Sequence, residues 1–188
     1  MTPAILIFAA SARSNSINKK LARQAAATAE RLGAKASFID LQNYPMPLYD
    51  GDLEQERGIP EKAAAFAELI RNHDGLIIAS PEYNGAFTPL LKNTIDWATR
   101  VDYRILADKT IGLMSASPGK GGGGRGLELV RQWFANMGLI VTEERFSLAQ
   151  APQAFQEDGG LAGEKQLELE SFIRQLLQAI GDKEQIAA

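Results

Sequence analysis

Ala4-Ile5-Leu6-Ile7-Phe8-Ala9, followed after one alanine by Ser11-Ala12-Arg13-Ser14-Asn15-Ser16-Ile17-Asn18, is the stretch that decides the fold. The first run is apolar without alternation. A strand with one wet face alternates, so this run predicts burial on both faces, as in a parallel sheet. The next run is polar and rich in hydroxyls. From about Asn18 to Arg31 the pattern becomes helical: Leu21, Ala25, Thr28 and Leu32 fall on one side, and Gly33 is placed to end the helix.

The alternation continues outward from there. Ala36-Ser37-Phe38-Ile39-Asp40-Leu41 reads as a second, weaker strand. A polar, proline-bearing stretch runs from Gln42 to Pro60, within which Asp52 to Arg57 reads as a solvated loop or a short helix. Ala63, Phe66, Ala67 and Ile70 give a helix over Pro60 to His73, with Pro60 suited to its first turn. Gly75-Leu76-Ile77-Ile78-Ala79-Ser80 is a third, buried strand. Thr88 can cap a helix that Pro89 opens and that runs through Trp97. Thr110 to Ser115 is the fourth strand, and a glycine-rich loop, Gly119 to Gly126, leads into a helix ending near Gly138. Leu139-Ile140-Val141-Thr142 begins a fifth strand, and Leu169, Phe172, Ile173, Leu176, Leu177 and Ile180 stripe a last helix. The pattern predicts an α/β fold: a doubly wound, five-stranded parallel sheet with helices on both faces, in one domain over residues 1–188.

Composition narrows the chemistry. The 188 residues carry 20 Lys plus Arg against 23 Asp plus Glu, a net charge of -3, which argues against a nucleic-acid partner. With no cysteine there is no disulfide, thiolate nucleophile or cysteine-based metal site, and the single histidine, His73, leaves little for zinc. The stretch Ala4 to Ala10 is too short for a signal peptide or a membrane span and lacks a basic flank, so the expected location is the cytoplasm, with no metal and no membrane partner.

Ligands of such sheets bind beyond the carboxyl ends of the strands, where the strand order reverses. The unusual loops of this chain follow strands one, three and four. Hydroxyls, free backbone N–H groups and a helix N-terminus in Ser11 to Asn18 favour a bound phosphate, to which Arg13 adds a cation. No G-x-G-x-x-G and no P-loop lysine pattern occurs there. The bland alternative is a Ser/Asn loop with a helix cap at Ser16 or Asn18. Ser80-Pro81-Glu82-Tyr83-Asn84-Gly85 can lay amides and an aromatic edge along a flat ring, although Glu82 reads equally as a solvated charge and Tyr83 as a packed ring. In Ser115 to Arg125, glycines allow close backbone approach, and free N–H groups can face a carbonyl or a developing negative charge; the alternative is a flexible linker.

Ala10-Ser11-Ala12-Arg13 with Ser16 and Asn18, then Pro81-Glu82-Tyr83-Asn84, Leu91-Lys92-Asn93 and Asp96-Trp97, resemble the NADPH-dependent FMN reductase family, flavodoxin-like proteins that include chromate, quinone and azo-dye reductases. The resemblance runs from Ala4 to about Met137, and Tyr44 to Asp50 is similar to that family's loop after strand two. Glycine is usual there at the position of Ala10, and the run Gly121 to Gly124 blurs the match in its loop. The resemblance implies FMN as cofactor, with NADPH or NADH as co-substrate. It implies that Ser11, Arg13, Ser16 and Asn18 hold the FMN phosphate. Pro81, Glu82, Tyr83 and Asn84 then line the ribityl chain and ring, and Ser115, Ser117, Gly119 and Gly122 close over the ring's other edge. It implies a homodimer or homotetramer, with residues 89–99 and 44–50 as interface elements.

The implied activity is a ping-pong NAD(P)H oxidoreductase acting on a quinone, free flavin, azo compound or chromate. Such chemistry needs no catalytic residue from the protein, since the cofactor carries it. Tyr49, Tyr83 and Tyr103 are candidates to wall the ring's open face, and Arg13, Lys120 and Arg125 to meet a 2′-phosphate. Trp97 and Trp133 read as core or interface residues, and His73 as a helix C-terminal cap. Two competing readings are a flavodoxin-type electron carrier, for which the charge of -3 is mild, and a flavin-free binder of a phosphate ligand.

Overall fold

The structure, a computed structural model, describes residues 2–187, with side chains through Lys183. Five parallel strands, β1 (Ala4–Ala9), β2 (Lys35–Asp40), β3 (Gly75–Ala79), β4 (Thr110–Ala116) and β5 (Ile140–Leu148), lie in the order β2-β1-β3-β4-β5. This is the flavodoxin-like order, with its reversal between β1 and β3.

The unalternating run of β1 is buried on both sides, as its composition requires. Ile5, Ile7 and Ala9 pack under α1 (Ile17–Arg31) and α7 (Gly163–Ala187), in a core completed by Phe172, Ile173 and Leu176. Leu6, Phe8 and Ala10 face the other way, toward α3 (Glu61–Arg71) and α4 (Pro89–Val101). α5 (Gly124–Asn136) covers the same face through Leu127, Val130 and Phe134. Burying a Leu, Ile or Phe side chain contributes about 1.5–3 kcal/mol, so the central strands anchor the molecule from both faces.

The structure moves several predicted boundaries. Pro60 sits just before α3 rather than in its first turn, and His73 lies beyond the end of that helix. The His73 Nδ1 is 2.6 Å from the Leu69 carbonyl oxygen, so the ring does serve the helix C-terminus. Leu41 leaves β2 for a 3₁₀ turn over Leu41–Asn43, capped by the Asp40 carboxylate. The polar stretch that follows contains the short helix α2 (Gly51–Arg57). α4 continues past Trp97 to Val101.

The largest difference is at β5. The sequence pattern shows only its first residues, yet the strand extends to Leu148 and is followed by one turn of helix, α6 (Ala151–Ala154). β5 is an edge strand, and Glu143, Glu144 and Arg145 on it break any apolar pattern. Charged residues suit such an edge, since they discourage pairing with other chains. No helix among the described residues is long and apolar enough to cross a membrane.

Candidate functional site

The loops after β1, β3 and β4 meet at the carboxyl end of the sheet, at the reversal point. They line a cleft of about 210 Å³ formed by Ser11, Arg13, Ser16, Ile17, Asn18, Pro81, Glu82, Tyr83, Ala116, Ser117 and Pro118. A second depression of about 320 Å³ adjoins it across Ser11, Arg13 and Tyr83 and reaches Ala10, Thr88 and Leu90.

The first loop has the features of an anion site. Ser16 caps α1, its hydroxyl accepting from the Lys19 amide at 3.4 Å. The Ile17 and Asn18 amides just before it have no intrahelical acceptor and point out of the helix end. No acidic residue occupies that turn, so nothing offsets the positive end of the helix dipole. Ser11, buried, accepts from the Arg13 amide at 3.3 Å, and the Arg13 side chain is exposed beside it. Hydroxyls, a guanidinium and a helix N-terminus form a donor set that fits a phosphate.

Asn18 is held differently. Its Nδ2 donates to the Ala116 carbonyl and its Oδ1 accepts from the Ala116 amide, both at 2.9 Å. This paired contact fastens the start of α1 to the end of β4.

The second loop is a tight hairpin. Tyr83 and Ala86 exchange backbone hydrogen bonds of 2.8 and 3.0 Å, and the residues between them, Asn84 and Gly85, have φ of 53° and 80°. That is the positive-φ pair of a type I′ turn, for which Asn-Gly is the preferred sequence. Asn84 is thereby carried to the exposed tip of the turn. Glu82, mostly buried, is not a free solvated charge. Its carboxylate accepts from the Gly126 amide at 3.1 Å, near the start of α5, and meets the Arg125 guanidinium at 3.2 Å.

The third loop is pinned by backbone contacts. Ser117 N–H donates to Leu148, Gln150 to Gly119 and Ala151 to Ser117, at 3.1, 3.0 and 2.9 Å. Helix α5 begins inside the glycine run rather than after it. Gly122 and Gly123 take φ of 58° and 84°. A Cβ on Gly122 would lie 2.5 Å from the Ser147 Oγ, and one on Gly123 would collide with the Ser115 hydroxyl. Both positions therefore need glycine for space as well as for conformation. Ser115 lies buried beneath Gly123, its hydroxyl without a hydrogen-bond partner among the described residues.

Of the twelve residues singled out from the sequence, Ser11, Arg13, Ser16, Asn18, Pro81, Glu82, Tyr83 and Ser117 border the one cleft. Asn84, Ser115, Gly119 and Gly122 belong to the same three loops but are not in its wall. Of the three tyrosines, the structure brings only Tyr83 to the cleft. Tyr49 packs edge-on against Trp97, 5.1 Å between ring centroids, and its hydroxyl donates to Glu54. Tyr103 is 88% exposed beside Met137 and Leu139, at a separate depression. The Ala10 methyl points into the core rather than toward the loop.

Residues 3–153 match the profile of the NADPH-dependent FMN reductase family. The chain belongs to that family. Its members are oxidoreductases, and so is this protein. It is 37% identical over 140 residues to a quinone reductase of Escherichia coli, covering 73% of this chain and 72% of that one. It is 31% identical over 177 residues to an NAD(P)H-dependent FMN reductase of Pseudomonas aeruginosa, covering 94% and 92%. Among solved structures, FerB, a flavoenzyme NAD(P)H:(acceptor) oxidoreductase from Paracoccus denitrificans, superposes with a TM-score of 0.83 at 24% identity, covering 96% and 98% of the two chains. That likeness confirms the flavodoxin-like fold that the FMN reductase family shares.

The sequence reading missed contacts made by four residues around the site. Thr88 was legible as a cap, and it does accept from Leu91 N–H at 3.2 Å. Its hydroxyl also donates to the Ala10 carbonyl at 2.9 Å, which no local pattern announces. Asn93 donates to Pro47 O at 2.8 Å and accepts from Tyr49 N–H at 2.7 Å, holding the loop after β2 against α4. Trp97 Nε1 reaches the same Pro47 carbonyl at 2.8 Å. The fourth, Gln42, contacts the first loop from the 3₁₀ turn that follows β2.

Proposed function

We propose that the cleft binds FMN and that the protein reduces a small acceptor with NADPH or NADH in a ping-pong sequence. Bound FMN would supply a two-electron carrier between donor and acceptor. The observation that carries this reading is the anion cradle of the first loop, opening into the same cleft as the Tyr83 hairpin. Ser11, Arg13 and Ser16, with the start of α1, would hold the phosphate. Asn18 would act through its grip on Ala116, since both its polar ends already have backbone partners. Pro81, Glu82, Tyr83 and Asn84 would line the ribityl chain and one edge of the ring. Ser115, Ser117, Gly119 and Gly122 would shape the other edge.

The names of the relatives favour a quinone as acceptor, with free flavin, azo compounds and chromate as further candidates. An assembly of two or four copies through α4 and residues 44–50 goes with this reading, as does a location in the cytoplasm. Leu48, 79% exposed on that loop, is an apolar side chain that a second copy would cover.

The test is anaerobic absorbance of the purified protein with FMN, before and after NADPH and then NADH. Rapid bleaching of bound flavin is the expected result, and the faster donor reveals the nucleotide preference. Bound flavin that resists both donors would instead indicate a flavodoxin-type electron carrier. No flavin binding would overturn the assignment of the cleft.

A further inference from the structure

Gln42 touches the first loop from outside the cleft. Its side-chain amide donates to the Ala12 carbonyl oxygen. The peptide between Ala12 and Arg13 is trans, so its C=O and N–H point in opposite directions. Holding the Ala12 oxygen toward Gln42 therefore turns the Arg13 N–H the other way, toward the Ser11 hydroxyl. Ser11 and Arg13 both border the cleft.

Gln42 is itself braced. Its backbone N–H donates to the Asp40 carboxylate at 3.0 Å, in the 3₁₀ turn that ends β2. The same carboxylate lies 2.7 Å from the ammonium of Lys19, whose side chain is 1% exposed in the first turn of α1. No other partner reaches that ammonium among the described residues. A buried unpaired charge is costly, so the pair has strong reason to persist. A chain of contacts thus runs from α1 through Lys19, Asp40 and Gln42 back to the loop that leads into α1.

We propose that Gln42, braced by the Lys19–Asp40 pair, is a positioning residue for phosphate recognition: it sets the Ala12–Arg13 peptide so that the first loop presents its donors to the anion. This rests on the FMN reading above. Gln42 does not line the cleft, so its effect is confined to the loop it holds, and it distinguishes ligands by their phosphate.

The experiment measures the affinities of the apo protein for FMN and for riboflavin by fluorescence titration, in the wild type and in Gln42→Ala. With that one exposed hydrogen bond lost, FMN binding should weaken about three- to tenfold. Riboflavin, which lacks the phosphate, should change less than twofold. Amide hydrogen exchange of the apo variant should be faster over residues 11–16 and unchanged over residues 81–86. Unchanged FMN affinity, or equal losses for FMN and riboflavin, would overturn the proposal. A wild type without preference for FMN over riboflavin would overturn the phosphate reading instead. The exchange data then decide the clamp: faster exchange confined to 11–16 supports it, and unchanged protection there refutes it.

Discussion

The loops after β1 and β4 flank one cleft, yet they are built by opposite means. The first is shaped by side chains that reach backbone groups: Thr88 to Ala10, Gln42 to Ala12, Asn18 to Ala116. The other is shaped by the lack of side chains, with Gly122 and Gly123 pressed onto Ser147 and Ser115. The difference teaches how each can fail. The β1 loop should break when a hydrogen-bonding group is removed, and the β4 loop when a methyl group is added.

The largest effect is therefore expected from Gly123→Ala. The new methyl meets Ser115, and the φ of 84° is unfavourable for alanine. Strain and overpacking together should cost on the order of 3 kcal/mol, read as a lower urea midpoint. Adding Ser115→Gly should recover part of the loss. A single variant as stable as the wild type would show that the loop can move aside, and the contrast would collapse.

Asn18→Ala comes next. It removes two buried hydrogen bonds and leaves the Ala116 amide and carbonyl unpaired, at a cost of about 2–3 kcal/mol. Thr88→Val keeps the shape but loses the cap and the bond to Ala10, for about 1–2 kcal/mol. Equal stability of either variant and wild type in urea would mean that the first loop does not depend on its side-chain ties.

The smallest effect concerns pH. Burial alone would raise the Asp40 pKa, but the Lys19 ammonium and the Gln42 amide outweigh it and hold the carboxyl below its usual range. The stabilisation is thus present above the unfolded value of about 4 and lost as the pH falls through the lower, folded value. Lys19→Met removes the cation, so the fall in stability between about pH 5 and pH 3 should become shallower. An unchanged acid limb in urea titrations would separate Asp40 from Lys19. Glu128, on α5, is lowered to about 2, first by its hydrogen bond from Arg131, and its carboxylate sits at the surface.

Much of the fold was legible because its signals are local. An unalternating apolar run must be buried twice, and β1, β3 and β4 carry one each. Thr88-Pro89 is short enough that its own backbone preferences choose the cap; Asn84-Gly85 chooses its turn the same way, a signal present in the sequence that its reading does not name. The edges were harder. β5 buries only part of its length, so its charged middle leaves no period to read. The short helix α2 buries none of its residues and gave an ambiguous pattern for the same reason.

The candidate site divides along the same line. Residue types and their order along the chain determined by themselves that a hydroxyl-rich loop, a Pro-Glu-Tyr-Asn loop and a glycine run follow three buried strands. They also determined the family. Only the tertiary structure decided which atoms are already committed: the Asn18 amide to Ala116, the Glu82 carboxylate to α5, Gln42 to Ala12, and Tyr49 to Trp97 and Glu54. Backbone preferences act over a few residues and leave a trace in the local pattern. A hydrogen bond between residues 30 or 98 positions apart exists only once the sheet has brought them together.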